Sequence, residues 1–276
     1  MGNRFLVAVV FSVLAASAAA QEKPPATVTP PQAPAAQSRS TRFHAEVGTF
    51  YSALSRGYST WRGFDARVLY ASRRATPFIG VSTETRKEGT QQNYGVGSYI
   101  TLNDRFYSIV GVSHAPYRGA VLFPKTRIDA ALFGAVRSVP GLVLFGGATK
   151  VYGDKGGGGQ IFSIGSFLYH GHAIATGVVS LNRDRLSGAD SHSQSLGIQY
   201  GSQGSYWICV SISHGTEAYQ VIAAAPFDAR FEGAGAMLFG QKWFARNRGA
   251  VLRYEFEHKY TAYVRNAVAL TYFVDF

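Results

Sequence analysis

"RNAVALTYFVDF", residues 265–276, alternates up to its final position. Val268, Leu270, Tyr272, Val274 and Phe276 fall on one face of an extended chain, while the residues between them include Ala267, Ala269, Thr271 and Asp275. A period of two marks a strand that separates two unlike environments. Terminal residues of soluble domains tend to be frayed and polar, so an aromatic-ended strand predicts a pairing partner for this stretch.

The same alternation recurs upstream. Fourteen segments carry it, near residues 42–51, 62–72, 77–86, 91–101, 104–114, 126–137, 141–151, 160–169, 172–182, 191–200, 204–214, 231–242, 248–258 and 262–275. The connectors alternate as well. "SRRATP" (72–77), "LNDR" (102–105), "SVPG" (138–141), "YHGH" (169–172), "YGSQGS" (200–205) and "FARNRG" (244–249) are short and turn-like. Between them lie longer or glycine-rich stretches such as "SALSRGYSTW" (52–61), "APYRGAVLFPK" (115–125), "YGDKGGGG" (152–159) and "GTEAYQVIAAAPFDAR" (215–230). Strands of about ten residues with short turns at one end and long loops at the other are the pattern of a transmembrane barrel.

Within a strand the two faces divide cleanly. In "AVLRYEFEHK" (250–259) Leu252, Tyr254 and Phe256 oppose Arg253, Glu255 and Glu257, and in "FDARVLY" (64–70) Phe64, Ala66, Val68 and Tyr70 oppose Asp65 and Arg67. An Arg or Lys facing lipid at mid-depth costs about 2–4 kcal/mol, so the charged face must point inward. The chain is therefore expected to be all-β: a transmembrane antiparallel up-and-down β-barrel of about fourteen strands over 42–276, or twelve if 42–51 and 172–182 are not strands. A soluble sandwich or lipocalin-like barrel would show the same period with its faces exchanged. Aromatic residues near strand ends, Tyr51, Tyr70, Tyr94, Tyr169, Tyr200, Tyr254 and Tyr272, favour the membrane, where aromatic girdles sit at both interfaces.

The first twenty residues read differently. "MGNRFLVAVVFSVLAASAAA" (1–20) has one basic residue, an apolar run and a small-residue end, the layout of a cleavable secretory signal. Residues 21–41 are rich in Pro, Ala and Thr and predict a disordered periplasmic leader. The apolar run is shorter than the ~20 residues that a spanning helix needs. Cys209 is the single cysteine, so intrachain disulfides are excluded. The net charge of +11 is spread over many short loops. Scattered charge of this kind argues against nucleic acid and for anionic head groups or solutes.

The inward charges expected from alternation include Glu46, Asp65, Arg67, Glu84, Arg86, Arg127, Asp129, Lys150, Arg253, Glu255, Glu257 and Arg265. Such residues either pair across strands and stiffen the wall or ring a pore and select charged solutes. Basic loop residues Arg56, Arg62, Lys87, Arg118, Lys125, Lys155, Arg183 and Arg185 are placed to meet lipopolysaccharide phosphates. A lipid-modifying enzyme would need a Ser and a His in contact. The neighbours Ser113/His114 and Ser213/His214 point to opposite faces of their strands, as does Ser211 relative to His214. His170 and His172 lack a third ligand for a metal, and "GDKGGGGQ" (153–160) lacks the order of a phosphate-binding loop. No cofactor, metal or catalytic set is expected. The loop "QVIAAAPFDA" (220–229) is apolar enough to fold over the outer mouth.

"LSRGYSTWRGFDARVLY" (54–70), "FPKTRIDAALFGAV" (123–136), "DSHSQSLGIQY" (190–200) and the closing "RNAVALTYFVDF" resemble parts of the YaiO family of outer-membrane barrels, with Leu54, Ser55, Gly57, Trp61 and Phe276 at the marked positions. The closing segment also resembles the C-terminal signal by which such barrels are recognised for insertion, here Val268, Leu270, Tyr272, Val274 and Phe276. It departs in carrying Ala267 and Ala269 where a glycine is common. The resemblance implies the bacterial outer membrane, contact with its lipid and lipopolysaccharide, and handling by the barrel-assembly machinery; it transfers no catalytic residue. Three functions follow as expectations: a non-enzymatic envelope barrel acting as a narrow channel for small or anionic solutes, a docking barrel for surface polysaccharide or a partner protein, and a Ser/His lipid-modifying enzyme.

Overall fold

A computed structural model describes residues 43–72, 74–116, 123–153, 157–185, 188, 190–217, 220–221, 226–227, 231–259 and 262–276. The expected signal and leader, residues 1–41, lie outside the described residues. The strands are β1 (Phe43–Leu54), β2 (Trp61–Tyr70), β3 (Ala75–Arg86), β4 (Gly89–Thr101), β5 (Phe106–His114), β6 (Thr126–Ala135), β7 (Leu142–Tyr152) and β8 (Gly158–His170). They continue as β9 (Ala173–Asp184), β10 (Asp190–Ser202), β11 (Tyr206–Glu217), β12 (Gln220–Val221), β13 (Pro226–Phe227), β14 (Phe231–Ala245), β15 (Arg248–Lys259) and β16 (Tyr263–Asp275).

Fourteen of these form one closed antiparallel barrel in which every neighbour in sequence is a neighbour in space, and β12 with β13 form a separate two-residue hairpin. Closure is made by β1 and β16, paired from His44↔Asp275 to Leu54↔Arg265. Phe43 and Phe276 exchange backbone hydrogen bonds of 2.7 and 2.9 Å at the seam. The closing strand thus has its expected partner. The two strands with the weakest sequence signal, β1 and β9, are both full members of the wall.

The alternation places apolar side chains outside. Leu252, Tyr254, Val268, Leu270 and Tyr272 are each 40–58% exposed, as are Ile198, Ile208, Val210 and Ile212 at 49–64%. Inside, buried apolar side chains such as Phe50, Ile109, Val143, Val178 and Phe273 are spread along the wall. Among the described residues, the clusters of buried apolar side chains are Ala115 with Phe123, and Ala262 with Tyr263, the second flanked by Leu54 and Tyr58. Substantial contacts between strands run only between ladder neighbours. A soluble barrel of this size would bury its apolar face; this one turns it outward and encloses a lumen of mixed ionic, hydroxyl and aromatic lining. Six short turns gather at one end, which by the barrel rule faces the periplasm, and the long loops gather at the other.

The β1–β2 loop shows what Leu54, Ser55, Gly57 and Trp61 do together. Ser55 donates its backbone N–H to the Val264 carbonyl at 2.9 Å, and its hydroxyl accepts the Val264 N–H at 2.9 Å, tying the loop to β16. Arg56 and Gly57 turn the chain at φ of 59° and 75°, a region that glycine enters without steric cost. Leu54 packs on Tyr263, and Trp61 is 7% exposed inside the mouth, beneath the Arg86 guanidinium at 3.8 Å.

Candidate functional site

Among the described residues polar chemistry gathers in the lumen, and its two walls differ. On β15 and β16 alternation turns Arg253, Glu255, Glu257, Lys259 and Arg265 inward in one column. Arg253 Nε lies 3.1 Å from Glu255 Oε1, Arg265 donates to Glu255 at 3.1 Å and to Glu257 at 2.9 Å, and Lys259 Nζ lies 3.0 Å from Glu257. Across the seam, both His44 ring nitrogens lie 2.6 Å from carboxylates, Asp275 and Glu46, and Arg67 donates to Glu46 at 2.8 Å. Arg86 pairs with Glu84, which is 1% exposed. On β6, Arg127 pairs with Asp129 at 2.9 Å, and the Thr149 hydroxyl donates to the same carboxylate at 2.6 Å. Asp65 lies in this ionic wall over Gly48, within electrostatic reach of Arg253 and Arg67.

Among the described residues, six basic side chains face inward, Arg67, Arg86, Arg127, Arg253, Lys259 and Arg265, against eight carboxylates: Glu46, Asp65, Glu84, Asp129, Asp184, Glu255, Glu257 and Asp275. Among the described residues the positive excess therefore lies outside the lumen and at its rims. Lys150, expected inside, is turned outward. Thr149 takes the inward position, and Lys150 sits near the outer rim with Nζ 5.9 Å from the Tyr152 ring. A charge so close to the interface escapes the mid-bilayer penalty, so the rule that places charges inward does not hold there. Tyr169 is corrected in the opposite sense: it faces the lumen, whereas Tyr51, Tyr70, Tyr94, Tyr200, Tyr254 and Tyr272 are exposed outside.

Next to the ionic wall, past β14, β8 to β11 present hydroxyls. Ser163 and Ser180 are hydrogen-bonded at 2.7 Å, and Ser180, Ser193 and Ser195 are buried. Gly215, Gly233 and Gly235 leave the wall bare beside a cavity of about 60 Å³ bordered by Ser193, Ser213, Glu257 and Lys259. Between β3 and β8, toward the short-turn end, the inward face carries rings: Phe78, Tyr99, Tyr107, Phe133, Phe145 and Phe167. Cys209, also inward, is partly buried. The register that assembles these rings into one stripe cannot be seen in any single strand, which is why sequence reading passed over them.

The other candidates disperse. Ser113 and Ser213 face inward, while His114 and His214 are exposed outside, His114 bonding Thr126 at 3.1 Å. His44 is the inward histidine among the described residues, and its ring is held between two carboxylates. No group of three metal-ligating side chains occurs among the described residues. Of the basic loop residues, Arg62 projects outward from β2, Arg56 and Lys87 lie in outer turns, Lys125 and Arg185 flank outer loops, and Arg183 pairs with Asp190 at 3.7 Å. Arg118 and Lys155 lie outside the described residues. So does most of the 220–229 loop, of which the β12–β13 hairpin is described.

Residues 43–220 match the YaiO membrane beta barrel domain. The match stops short of β14 to β16, so the closing segment contributes nothing to it. No curated protein matches the chain in sequence. Solved structures share its fold at low identity. A monoaromatic hydrocarbon channel, CymD, is 8% identical with a TM-score of 0.58, covering 86% of this chain and 89% of that one. A bacterial polysaccharide outer membrane secretin is 7% identical with a TM-score of 0.57, covering 87% and 100%. The toluene transporter TodX of P. putida is 8% identical with a TM-score of 0.53, covering 85% and 90%.

Proposed function

The chain belongs to the YaiO membrane beta barrel family and resides in the bacterial outer membrane, and from that premise we propose that it is a non-enzymatic passage for small hydrophilic solutes. The observation that carries this reading is the interior itself: a fourteen-strand wall whose inward face carries ion pairs, hydroxyls and aromatic rings, with no large cluster of buried apolar side chains among the described residues. Eight strands close on their own side chains and sixteen leave an aqueous channel, so fourteen falls on the side of a narrow conduit. The channel and transporter folds that it resembles support the same reading.

Its charge balance disfavours selection of anions. Each inward Arg and Lys named above stands beside a carboxylate, and carboxylates outnumber bases eight to six among the described residues. The folded protein in a planar bilayer should conduct steadily, with a reversal potential in a salt gradient displaced modestly to the cation side. Silence at all voltages would remove the passage, and a strong anion preference would contradict the lumen balance.

A second reading concerns the outer wall. Lys150 is paired in register with Gln160, and Gln160 with Arg183, so one outward row at the long-loop rim carries two cations two strands apart, about 10 Å. That row suits the phosphates of lipopolysaccharide. Reversing both charges, Lys150→Glu with Arg183→Glu, should reduce the lipopolysaccharide retained on purification; unchanged retention would contradict the row's role. The outward face of β16, Val268 to Phe276, is the surface that the barrel-assembly machinery would read.

A further inference from the structure

Beyond conduction, one stretch of the lumen is shaped to hold a solute. Two rows of inward positions cross the wall from β10 to β15. The first runs Ser193, Gly215, Gly233 in register and ends at Lys259, whose side chain lies across Gly233. The second runs Ser195, Ser213, Gly235, Glu257. Both rows are polar at their ends and lose their side chains toward the middle. They span about 14 Å at the ~4.8 Å spacing of neighbouring strands. The cavity of about 60 Å³ lies against this bare middle.

The three glycines let polar groups lean over the wall. A Cβ at Gly233 would stand 2.8 Å from Lys259 Cδ and 3.1 Å from its Nζ, one at Gly235 would stand 2.6 Å from the Ser213 hydroxyl, and one at Gly215 would stand 2.6 Å from Ser193 Cβ. Lys259 is 4% exposed and Ser195 1%. The Ser195 hydroxyl has no hydrogen-bond partner among the described residues, and its cross-strand partner Ser213 borders the cavity. A buried polar group left without a partner costs about 1–3 kcal/mol. The spot therefore favours a guest that brings hydrogen-bonding atoms.

Charge selects the guest. Lys259 and Arg265 share the Glu257 carboxylate at 3.0 and 2.9 Å, one on each oxygen. The column on β15 and β16 thus sets three bases, Arg253, Lys259 and Arg265, against two carboxylates, Glu255 and Glu257, a local positive excess in a lumen that is acidic as a whole. Glu84, within electrostatic reach of Arg265, is paired with Arg86, and Asp65 lies by Arg253, ~20 Å along β15 from Lys259. We infer that the cavity is a binding site for a small oxyanion of the carboxylate or nitrate kind, held between the Lys259 ammonium and the hydroxyls of Ser193 and Ser213. Hydrogen bonds to a charged oxygen are the strong ones. A cation would meet Lys259 and Arg265 and be repelled. At about 30 Å³ per water the space equals two waters, enough for a flat anion of that kind and too small for a sugar. The site stands whether or not the lumen conducts.

The test uses the full barrel folded in a zwitterionic detergent and titrated with carbon-13 acetate, whose NMR line width reports binding. The line should broaden saturably, and nitrate should displace the acetate at constant ionic strength. Lys259→Met should weaken binding about tenfold and Ser213→Ala about fivefold, in line with the loss of one hydrogen bond to a charged group. Gly233→Ala keeps every charge but drives a methyl into the Lys259 side chain, so it should weaken binding as Lys259→Met does. Gly240→Ala, on the same strand with nothing within 4 Å of the added carbon, should not. No saturable broadening in the wild type, which would leave water alone in the cavity, or wild-type binding in both Lys259→Met and Gly233→Ala, would overturn the site. Should Lys259→Met fail to fold, Gly233→Ala decides. Conductance of the same preparation is recorded in parallel. Acetate binding by a silent barrel would support the site and remove only the passage reading, whereas a conducting barrel that binds no acetate would remove only the site.

Discussion

The two sides of the lumen solve one problem with different chemistry. On β15, β16, β1 and β2 an inward side chain is held by a charge on the adjacent strand, as Arg265 is held by Glu255 and Glu257. From β3 to β8, besides the Glu84–Arg86 and Arg127–Asp129 pairs, rings are held by an absence, as the Phe145 ring lies where Gly165 has no side chain. Both walls present the same apolar exterior to lipid. The outer face is thus dictated by the solvent, whereas the inner face is free to vary strand by strand, and whatever discrimination the barrel exerts must reside there.

Breaking the shared exterior should have the largest effect. Leu252→Arg puts a charge among lipid tails on β15 and should cost about 3 kcal/mol in a denaturant titration of the vesicle-embedded barrel, in line with the mid-bilayer penalty. A cost below ~0.5 kcal/mol would mean that this face does not meet lipid. On the ionic wall, Arg265→Ala leaves Glu255 and Glu257 crowded with one fewer partner each. About 2 kcal/mol should be lost, less than for a dry buried pair because lumen water rehydrates the carboxylates, and the reversal potential should move further toward cations. On the aromatic wall, Gly165→Val drives a side chain into the Phe145 ring and the Gly177 carbonyl. Overpacking of this kind costs about 1–2 kcal/mol. Ion selectivity should stay unchanged, whereas Arg265→Ala should shift it, which would separate the two walls functionally.

Much of this architecture was legible in the sequence because strand periodicity and connector length are local properties. The count of fourteen, the closed sheet and the outward set Val268, Leu270 and Tyr272 follow from them. What lies beyond is register. Nothing within "IDAALFGA" shows that Phe133 will stand between Tyr107 and Phe145, since cross-strand position depends on where every turn falls. Strand ends moved for the same reason. The eleventh predicted segment ended at residue 214, but β11 runs to Glu217; the twelfth ended at 242, but β14 runs to Ala245 through a register shift between Trp243 and Ala245. Lys150 and Tyr169 take the faces that strand parity dictates and not those that residue type suggests, because near the rims the environment discriminates least.

The central claim is the orientation of the two faces, and cysteine scanning of β15 tests it most directly. Single cysteines at 252 to 257, placed in a Cys209→Ser background that should alter stability by no more than ~0.5 kcal/mol, are challenged in vesicles with a small charged thiol reagent. Positions 253, 255 and 257 should be modified from water, while 252, 254 and 256 should resist it and accept a lipid-phase maleimide. The inverse pattern, or uniform modification of all six, would contradict the account.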